Sequence, residues 1–430
     1  MKKYNIYSVK QIHFVGIGGI GISSIARMML LKGKKVSGSD VNDSEVVEEL
    51  IKLGAKVKIG HRKQNLDPET DLLIHTIAVP KNNPELIKAK ELGIRILTYP
   101  ETLGLISKKH YTVAIAGTHG KTTTTAMLAK VFIDAGLKPM AVVGSLLKDE
   151  RSNFIAGNGK YFIVEACEYK RSFLNLEPKI LAITNIDNDH LDYYKNLEDI
   201  QKAFSELVSK IPEDGFLICN RNDPKITPVL KTAKCQIIDY AKIDKKIGLK
   251  FPGRHNLENA KVAFALGQLV NIKEKEILKS LKNFRGTWRR FDFKGKTKNG
   301  ALIYDDYAHH PTEIKATLTT FRKKFPKKKI TVVFQPHLFS RTKILLKEFA
   351  ISFEDADEVI VAPIYAAREK EDKNISSETL ADKIKQNGKP ALALENFQKI
   401  EDYLMANTDK GNIVITMGAG DIYKVGGKLI

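Results

Sequence analysis

The chain has 430 residues, which is too long for one ordinary hydrophobic core and predicts two or three domains. Hydrophobic residues make up 43% of it, a normal share for a globular protein, and this composition excludes extensive disorder. The net charge of +20 suggests nucleic acid, but the basic residues are scattered and the only dense run lies between Lys323 and Lys329. We therefore expect acidic, phosphate-bearing ligands and no nucleic acid.

Three cysteines without CxxC spacing argue against a disulfide framework or a zinc site and predict a reducing compartment. The apolar stretch from Phe14 to Ala26 is broken by glycines, which argues against a signal peptide. No apolar stretch reaches the roughly 18 residues that a membrane span needs. We expect a cytoplasmic protein with no membrane partner, either a monomer or a weak homodimer.

The first segment has the pattern of a nucleotide-binding unit. A strand (11–15), the glycine loop Gly16-Ile-Gly18-Gly19-Ile-Gly21, a helix (22–31) and a strand (35–38) are followed by Asp40. Gly16 would allow the tight turn, Gly18 the approach of a phosphate and Gly21 close packing of helix on strand. The glycine motif alone does not separate an NAD(P)-dependent dehydrogenase from a protein that binds another nucleotide diphosphate.

The segment continues as an α/β domain that ends near residue 109. Its further predicted elements are an apolar run at 71–78, a helix at 84–92, a strand at 94–97 and a helix from Pro100.

The stretch Ile115-Ala-Gly117-Thr118-His119-Gly120-Lys121-Thr122-Thr123 predicts a nucleoside triphosphate site. A buried strand (111–116) precedes it and a helix to about residue 135 follows it, so loop N–H groups and the helix dipole can receive phosphates. Lys121 would reach the outer phosphates, and the Thr122 hydroxyl would lie near Mg²⁺. The match to a P-loop is incomplete because Ile115 stands where its first glycine belongs.

The rest of this second domain predicts a mostly parallel sheet with its ligand at the carboxyl ends of the strands. Strands are predicted at 139–143, 160–165, 179–184, 215–220 and 235–238, and helices at 197–209, 256–269 and 274–281. Glu165 ends one strand, where a carboxylate is typical of a Mg²⁺ ligand or of a helix cap. His190 follows another strand. From the residues alone, it is as consistent with a capping or core histidine as with a residue of the metal site.

A third domain starts near residue 286. Strands at 301–304, 330–334, 358–361 and 412–416 alternate with helices at 312–323, 342–353, 378–386 and 396–406. Three of these strands lead into polar clusters that contain Asp305, Asp306 and His309, then His337 and Arg341, and then Asp421. These clusters predict a second binding face.

Several motifs in the same order resemble the Mur ligase family along nearly the whole chain. They are GTHGKTTTT from Gly117, TNIDNDHLD from Thr184, FPGRHN from Phe251, DDYAHHPTE from Asp305, QPHLFSR from Gln335 and HFVGIGGIG from His13. The last three are similar to the branch that joins L-alanine to UDP-N-acetylmuramate.

The resemblance implies a three-domain α/β fold. Residues 1–109 would form a Rossmann-like UDP-sugar domain, 110–285 a central P-loop-type ATPase domain with a mostly parallel sheet, and 286–430 a Rossmann-like domain that closes over ATP and the amino acid. It implies ATP, Mg²⁺, UDP-N-acetylmuramate and L-alanine as ligands, and a reaction through an acyl phosphate. Because the family carries out no hydride transfer, the resemblance implies a UDP-sugar rather than NAD at the glycine loop.

The resemblance also implies roles for individual residues. Lys121, Glu165, His190 and Arg341 would be catalytic, with Thr122, Glu165 and His190 at the metal. The UDP-sugar site would use Gly16, Gly18, Gly19, Gly21, Asp40 and Thr76. The ATP site would comprise residues 117–123, His255, Asn256, Asn259, Arg290 and one or both of Asp305 and Asp306, and the amino-acid side His309, His337 and Arg341.

Three alternatives stay open beside L-alanine ligation. A member of the same family that attaches preformed murein peptides in cell-wall recycling would share these motifs. An NAD(P)-dependent dehydrogenase would turn over NAD(P)H without ATP, and a nucleic-acid-stimulated NTPase would hydrolyse ATP. The sequence departs from the branch at Cys167, where an aspartate is usual, and we expect inert packing of this cysteine rather than reactivity.

Overall fold

The computed structural model describes residues 5–367 and 369–430, which group into two compact units. The first unit extends to Asp187 and includes Leu197–Gly248 and Glu258–Arg285. The second unit consists of Asn188–Asn196, Leu249–Leu257 and Gly286–Ile430. Three separate sheets, each with its own helices, make this a three-domain α/β protein, as the sequence predicts.

The N-terminal sheet has five parallel strands in the order β3-β2-β1-β4-β5. Its elements are β1 (Gln11–Val15), α1 (Ile20–Leu31), β2 (Lys35–Asp40), α2 (Glu45–Lys52), β3 (Lys56–Ile59), β4 (Leu72–His75), α3 (Pro84–Glu91), β5 (Arg95–Thr98) and α4 (Tyr99–Ser107). Neither α2 nor β3 was predicted from the sequence. Ser44 caps α2 by accepting the Val47 N–H group at 3.3 Å, and β3 is an exposed edge strand with two lysines.

The central sheet has seven strands in the order β12-β11-β10-β6-β9-β7-β8. Its elements are β6 (Tyr111–Ala116), α5 (Lys121–Asp134), β7 (Met140–Leu147), β8 (Ser152–Ile155), β9 (Tyr161–Glu165), β10 (Ile180–Ile183), α6 (Leu197–Val208), β11 (Phe216–Cys219), α7 (Thr227–Leu230), β12 (Gln236–Asp239), α8 (Arg254–Leu269) and α9 (Glu274–Asn283). All its pairs are parallel except β7 with β8. The edge strand β8 was not predicted.

The C-terminal sheet has six strands in the order β13-β14-β18-β15-β16-β17, and only β13 is antiparallel to its neighbour. Its elements are β13 (Asp292–Lys296), β14 (Leu302–Asp306), α10 (Pro311–Lys324), β15 (Lys329–Phe334), α11 (Phe339–Ile344), α12 (Leu346–Ala350), β16 (Glu358–Val361), α13 (Ser377–Gln386), β17 (Ala391–Ala393), α14 (Phe397–Asn407), β18 (Asn412–Met417) and α15 (Tyr423–Lys428). Along β15, Val332 and Phe334 enter one hydrophobic core and Val333 enters the core on the opposite face. This alternation is what a parallel strand covered by helices on both faces requires.

Two predictions for this sheet are wrong in detail. The single helix expected at 342–353 is two helices, because the backbone leaves helical geometry at Leu345 (φ −102°, ψ 22°). Strand β14 does not end before the acidic doublet, since Asp305 and Asp306 still pair with Thr416 and Met417 of β18. Both aspartates are therefore buried strand residues rather than members of a loop.

The loops that carry the predicted site residues follow the carboxyl ends of parallel strands, where ligands of open α/β sheets bind. In the first unit these strands are β1, β6, β9 and β10, and in the second they are β14, β15 and β18. Within the described ranges, no helix combines the length and the apolar character that crossing a bilayer requires.

Candidate active site

The loop between β6 and α5 turns at two glycines with left-handed backbone conformation, Gly117 (φ 125°) and Gly120 (φ 83°). A Cβ atom on Gly120 would lie 2.3 Å from Asn259 Oδ1. Only glycine fits there while Asn259 packs against the loop. The structure thus places one of the predicted adenine-binding asparagines directly on the phosphate loop.

The first half of this loop is fixed by Asn185, which follows β10. Thr118 N–H donates to the Asn185 carbonyl oxygen at 3.0 Å, and His119 N–H donates to Asn185 Oδ1 at 2.9 Å. These two N–H groups are therefore already engaged by the protein. The N–H groups of the first turn of α5 have no acceptor within their own helix, so they are the donors that a phosphate would meet at this loop. That turn begins at Lys121 and contains Thr122 and Thr123.

The Lys121 ammonium group folds back over the loop. Its Nζ atom donates to the carbonyl oxygens of Gly117 at 2.6 Å and Thr118 at 3.0 Å and to Glu168 Oε1 at 3.0 Å. Burial alone would lower the pKa of Lys121, but the neighbouring Glu168 carboxylate raises it above its ordinary value. Lys121 is therefore a fixed cation here rather than a mobile one.

Glu168 is a site residue that was not predicted from the sequence. It is buried with 2% exposure, and its carboxylate is the ion-pair partner of Lys121. The available signal was its position three residues after Glu165, in the turn that follows β9. Cys167, between these two acids, is exposed.

Glu165 ends β9 beside the first turn of α5. Thr122 Oγ1 donates to the Glu165 carboxylate, 3.1 Å from Oε1 and 2.9 Å from Oε2, and Gly144 N–H also donates to Oε2 at 2.9 Å. The structure thus brings Thr122 and Glu165 together, and their role at a metal stays a prediction. His190, the third residue of the predicted metal set, belongs to the other compact unit.

A second group of charges beside the phosphate loop was also missed. Asp187 Oδ2 lies 3.3 Å from His119 Nε2, and Asp187 Oδ1 accepts from Lys225 Nζ at 2.6 Å. Although burial would raise the pKa of Asp187, hydrogen bonds from His119 and Lys225 and their charges hold it well below its usual range. Asp187 therefore stays ionised and orients the His119 side chain.

The glycine loop after β1 brings the predicted UDP-sugar residues together. Gly18 N–H donates to Asp40 Oδ2 at 2.8 Å, and a Cβ atom on Gly16 (φ 78°) would lie 2.4 Å from Thr76 Cγ2. Asp40 thus supports the loop itself in addition to any contact with a ribose. Gly19 caps α1 and is exposed.

The close neighbour of Gly21 is an aromatic ring rather than a strand. A Cβ atom there would lie 2.9 Å from Cζ of Tyr99, the first residue of α4. The sequence prediction of helix–strand packing at Gly21 is therefore wrong about the partner. The Tyr99 ring thus packs directly against the end of the glycine loop.

In the second unit, Arg341 on α11 lies among polar side chains from other segments. Its Nη2 atom donates to Asp189 Oδ1 at 2.8 Å, and its Nη1 atom donates to His337 Nδ1 at 3.1 Å. Since arginine only donates, His337 Nδ1 carries no proton. Burial lowers the pKa of His309 to about 4, and its ring centroid lies 6.0 Å from that of His337. The three residues predicted on the amino-acid side therefore form one cluster, together with Asp189.

His190 follows Asp189 and has a left-handed backbone (φ 54°). Its N–H group donates to Asp189 Oδ1 at 2.6 Å, which fixes the turn between the two residues. The segment is held in the second unit by a further bond, since His310 Nε2 lies 2.9 Å from the carbonyl oxygen of Asn188. Residues 188–196 thus belong to the unit of the C-terminal sheet although they follow β10 in the chain.

Both acids of the predicted ribose pair already accept hydrogen bonds from the protein. Arg289 Nε donates to Asp305 Oδ2 at 2.7 Å, and Asp306 accepts the N–H groups of Phe291 at 2.8 Å and Ala308 at 2.9 Å. Burial raises the pKa of Asp306 to about 6. The two aspartates therefore fix the backbone around residues 289–291. Arg290 lies in this stretch, and its guanidinium is 5.2 Å from the centre of the Tyr307 ring.

The remaining predicted adenine residues open α8. Asn256 is buried and donates from Nδ2 to the Pro252 carbonyl oxygen at 2.9 Å, whereas His255 is exposed. Asn256 therefore stabilises the turn before the helix, and its role toward a nucleotide stays a prediction.

Comparison with known proteins identifies the same family over most of the chain. Three family models match: "Mur ligase family, catalytic domain" at residues 11–111, "Mur ligase middle domain" at 115–247 and "Mur ligase, glutamate ligase domain" at 289–420. UDP-N-acetylmuramate–L-alanine ligases from Clostridium botulinum and Clostridium kluyveri are both 44% identical to it over 97% of this chain, and the match covers 96% and 97% of their own lengths, respectively.

Solved structures agree with this assignment. The UDP-N-acetylmuramate-alanine ligase MurC from Thermotoga maritima is 29% identical, with a TM-score of 0.83, covering 97% of this chain and 98% of that one. A murein peptide ligase from Psychrobacter arcticus has a TM-score of 0.75 and covers 98% of each chain, but at 24% identity it supports the fold alone.

Proposed function

The chain belongs to the Mur ligase family, and we propose that it is the ATP-dependent enzyme that joins L-alanine to the carboxylate of UDP-N-acetylmuramate in peptidoglycan precursor synthesis. The observation that carries the chemistry is the placement of Lys121, Thr122 and Glu165 at one helix N-terminus. The substrate pair comes from the ligases of that name that are 44% identical to this chain.

Each domain has one task in this proposal. Residues 1–109 bind the UDP-sugar through the loop after β1, residues 110–285 bind ATP, and residues 286–430 close over ATP and the amino acid. The reaction takes place in the cytoplasm, without nucleic acid or membrane, in a monomer or weak homodimer.

The reaction starts from a carboxylate, which is a poor acyl donor. Transfer of the γ-phosphoryl group of ATP to the muramoyl carboxylate gives an acyl phosphate and ADP. The amine of L-alanine then attacks the acyl carbon, the amide bond forms, and phosphate leaves. Lys121 and the N–H groups of the first turn of α5 stabilise the charge that develops on the transferred phosphoryl group.

The oxygen donors around Glu165 fit Mg²⁺. Thr122 Oγ1 and the two Glu165 oxygens lie within 3.1 Å of one another, and hard oxygen ligands are those that Mg²⁺ prefers. We assign Thr122, Glu165 and His190 to this ion, which would offset the negative charge of ATP and the carboxylate. Gly144 N–H keeps the Glu165 carboxylate in position.

The cluster of Arg341, His337 and His309 is assigned to the amino acid. The Arg341 guanidinium is held by Asp189 and His337 and has further N–H groups that can donate to a carboxylate. The neutral state of His309 at physiological pH follows from its pKa of about 4. Asn256, Asn259, His255 and Arg290 are assigned to the adenine and ribose side of ATP.

One assay tests the proposal against its alternatives. Phosphate release from Mg-ATP is measured with UDP-N-acetylmuramate while L-alanine, glycine, L-serine, D-glutamate or a murein tripeptide is added in turn. We expect release with L-alanine and none with the tripeptide. Release with the tripeptide but not with L-alanine would replace the proposal by peptide recycling, and turnover of NAD(P)H without ATP would replace it by a dehydrogenase.

A further inference from the structure

A long connection between β16 and α13 reaches back to the helix that carries Arg341. It comprises residues 362–376, and its described part contains no helix or strand. None of the described residues 363–367 and 369–376 belongs to the two hydrophobic cores of the C-terminal domain. Core packing therefore does not explain the contacts that this connection makes.

Tyr365 of the connection pairs with His337 through both backbone and ring. The Leu338 N–H group donates to the Tyr365 carbonyl oxygen at 2.9 Å, and the Tyr365 N–H group donates to the Pro336 carbonyl oxygen at 2.8 Å. Tyr365 and His337 thus form an isolated parallel bridge. Their rings are stacked, with centroids 5.7 Å apart and an angle of 20° between the planes. The position and the orientation of the His337 ring are therefore both set by Tyr365.

The same bridge supports an unusual backbone conformation at Leu338. This residue is buried, precedes α11 directly and has φ 71° and ψ 134°. A residue other than glycine keeps a positive φ only where its surroundings enforce it. The bridge to Tyr365 holds one side of Leu338, and Thr342 of α11 holds the other, since its N–H and hydroxyl groups donate to the Leu338 carbonyl oxygen at 3.1 and 2.7 Å. This turn sets the direction in which α11 presents Arg341.

Glu369 of the connection fixes the first turn of α11. Its Oε2 atom accepts the Ser340 N–H group at 3.0 Å, and its Oε1 atom accepts the Ser340 hydroxyl group. Ser340 directly precedes Arg341, and both residues line the cleft that Asp189 also lines. Because one carboxylate binds both the backbone and the side chain of Ser340, Glu369 restricts the residue next to Arg341.

We propose that Tyr365 and Glu369 are positioning residues for the amino acid. Tyr365 orients His337, whose Nδ1 atom accepts from Arg341 Nη1 at 3.1 Å, and Glu369 fixes the helix turn that carries Arg341. The two residues touch no substrate themselves. They determine whether the remaining N–H groups of Arg341 face the carboxylate of the amino acid. This inference rests on the proposed function, because that function assigns Arg341 to the carboxylate of L-alanine.

Steady-state kinetics separate positioning from a general structural role. Tyr365→Leu removes the ring and Glu369→Ala removes both acceptors, so each should raise the KM for L-alanine about tenfold, while the KM values for ATP and UDP-N-acetylmuramate stay within about twofold. Tyr365→Phe keeps the stacked ring, and Glu369→Gln can still accept the Ser340 N–H group. Both conservative variants should therefore behave like the wild type. If Tyr365→Leu does not fold, Glu369→Ala provides the same test.

Asp372→Asn is the matched control. Asp372 lies in the same connection but forms an exposed pair with Lys343 of α11, so this variant should leave all three KM values unchanged.

A double variant shows whether Tyr365 acts through Arg341. In an Arg341→Ala background, Tyr365→Leu should lower kcat/KM for L-alanine by less than about twofold, because its target is already absent. An equal rise of all three KM values, an unchanged KM for L-alanine, or an undiminished effect of Tyr365→Leu in the Arg341→Ala background overturns the inference. A wild-type protein that releases no phosphate with L-alanine overturns the proposed function instead.

Discussion

Arg341 Nη2 lies 2.8 Å from Asp189 Oδ1 although 152 residues separate them in the chain, and their side chains are only 7% and 9% exposed. Burial would raise the pKa of Asp189, but the charges of His190 and Arg341 hold it well below its usual range. The Arg341 guanidinium therefore cannot offer all of its N–H groups to a substrate carboxylate. Two of its N–H groups are engaged by Asp189 and His337.

We predict that Asp189 acts through Arg341. Asp189→Asn and Arg341→Ala should each lower kcat/KM for L-alanine at least about tenfold, because a buried guanidinium is mispositioned or lost. The double variant should lose less than the product, with a coupling of about 1–3 kcal/mol. Lys343→Ala, on the same helix but in an exposed pair with Asp372, should change nothing. Strictly multiplicative losses in the double variant would contradict the pairing.

A variant of Lys121 tests whether ATP and the UDP-sugar bind at separate sites. Lys121→Ala should lower kcat by about a thousandfold, because a cation at the transferred phosphoryl group is lost, while the Kd of UDP-N-acetylmuramate stays within about twofold. Lys130→Ala, which breaks an exposed pair with Asp134 on the same helix, is the control. A comparable loss of UDP-sugar affinity in folded Lys121→Ala would refute the division of labour between the domains.

We predict that Glu168 supports catalysis by positioning the Lys121 ammonium group. Its carboxylate is one of three acceptors for the ammonium group, so Glu168→Gln should leave Lys121 in place less often and lower kcat about tenfold. The KM for UDP-N-acetylmuramate should not change. Steady-state kinetics with ATP varied and then the sugar varied measures both, and an unchanged kcat would make Glu168 a structural acid.

The sequence was sufficient for the architecture because its strands are short apolar runs that end in polar turns. Each of β1, β6, β9 and β10 was predicted within two residues at either end, and parallel sheets align such ends along one edge. Strand periodicity and polar turns alone therefore place the loop residues 117–123 beside Glu165. The strands that were not predicted are the edge strands β3, β8, β13 and β17, whose pairing depends on distant neighbours rather than on a local pattern.

Contacts between side chains could not be predicted from the sequence, because they also depend on residues that are distant in the chain. Asp189 and Arg341 are linked only by the fold, and nothing local to either residue indicates the other. Asp305 and Asp306 were predicted to follow a strand as ligand acids. The strand instead continues through them, and Arg289 and two backbone N–H groups donate to their oxygens. A polar doublet after an apolar run does not show by itself whether the sheet pairing stops before it.

A change at Glu165 tests the assignment of the metal. Glu165→Gln keeps the shape and can still accept from Thr122 but removes the charge, so we expect about a tenfold higher Mg²⁺ concentration for half-maximal activity. Glu177→Gln, at an exposed acid paired with Lys108, is the control. If the Mg²⁺ titration superimposes on that of the wild type, Glu165 has only a structural role, as the acceptor of hydrogen bonds from Gly144 and Thr122.

The partly buried His309 predicts how acid destabilises the protein. Its pKa falls from 6.5 to about 4 in the folded chain, first through burial, so between these two values the unfolded state binds more protons. Stability from this residue is therefore complete above about pH 6.5 and is lost as the pH falls toward 4.

Replacing this histidine should flatten the acid side of the stability profile. In His309→Gln the difference in Tm between pH 7 and pH 4.5 should be smaller than in the wild type by about 3 °C or more, since about 1 kcal/mol shifts Tm by a few degrees in a domain of this size. The glutamine can keep a hydrogen bond to the Tyr307 carbonyl oxygen, which His309 Nδ1 approaches at 3.0 Å. Thermal unfolding of both proteins across this pH range measures the difference. An NMR titration in which the His309 imidazole gains its proton near pH 6.5 in the folded protein would contradict the prediction.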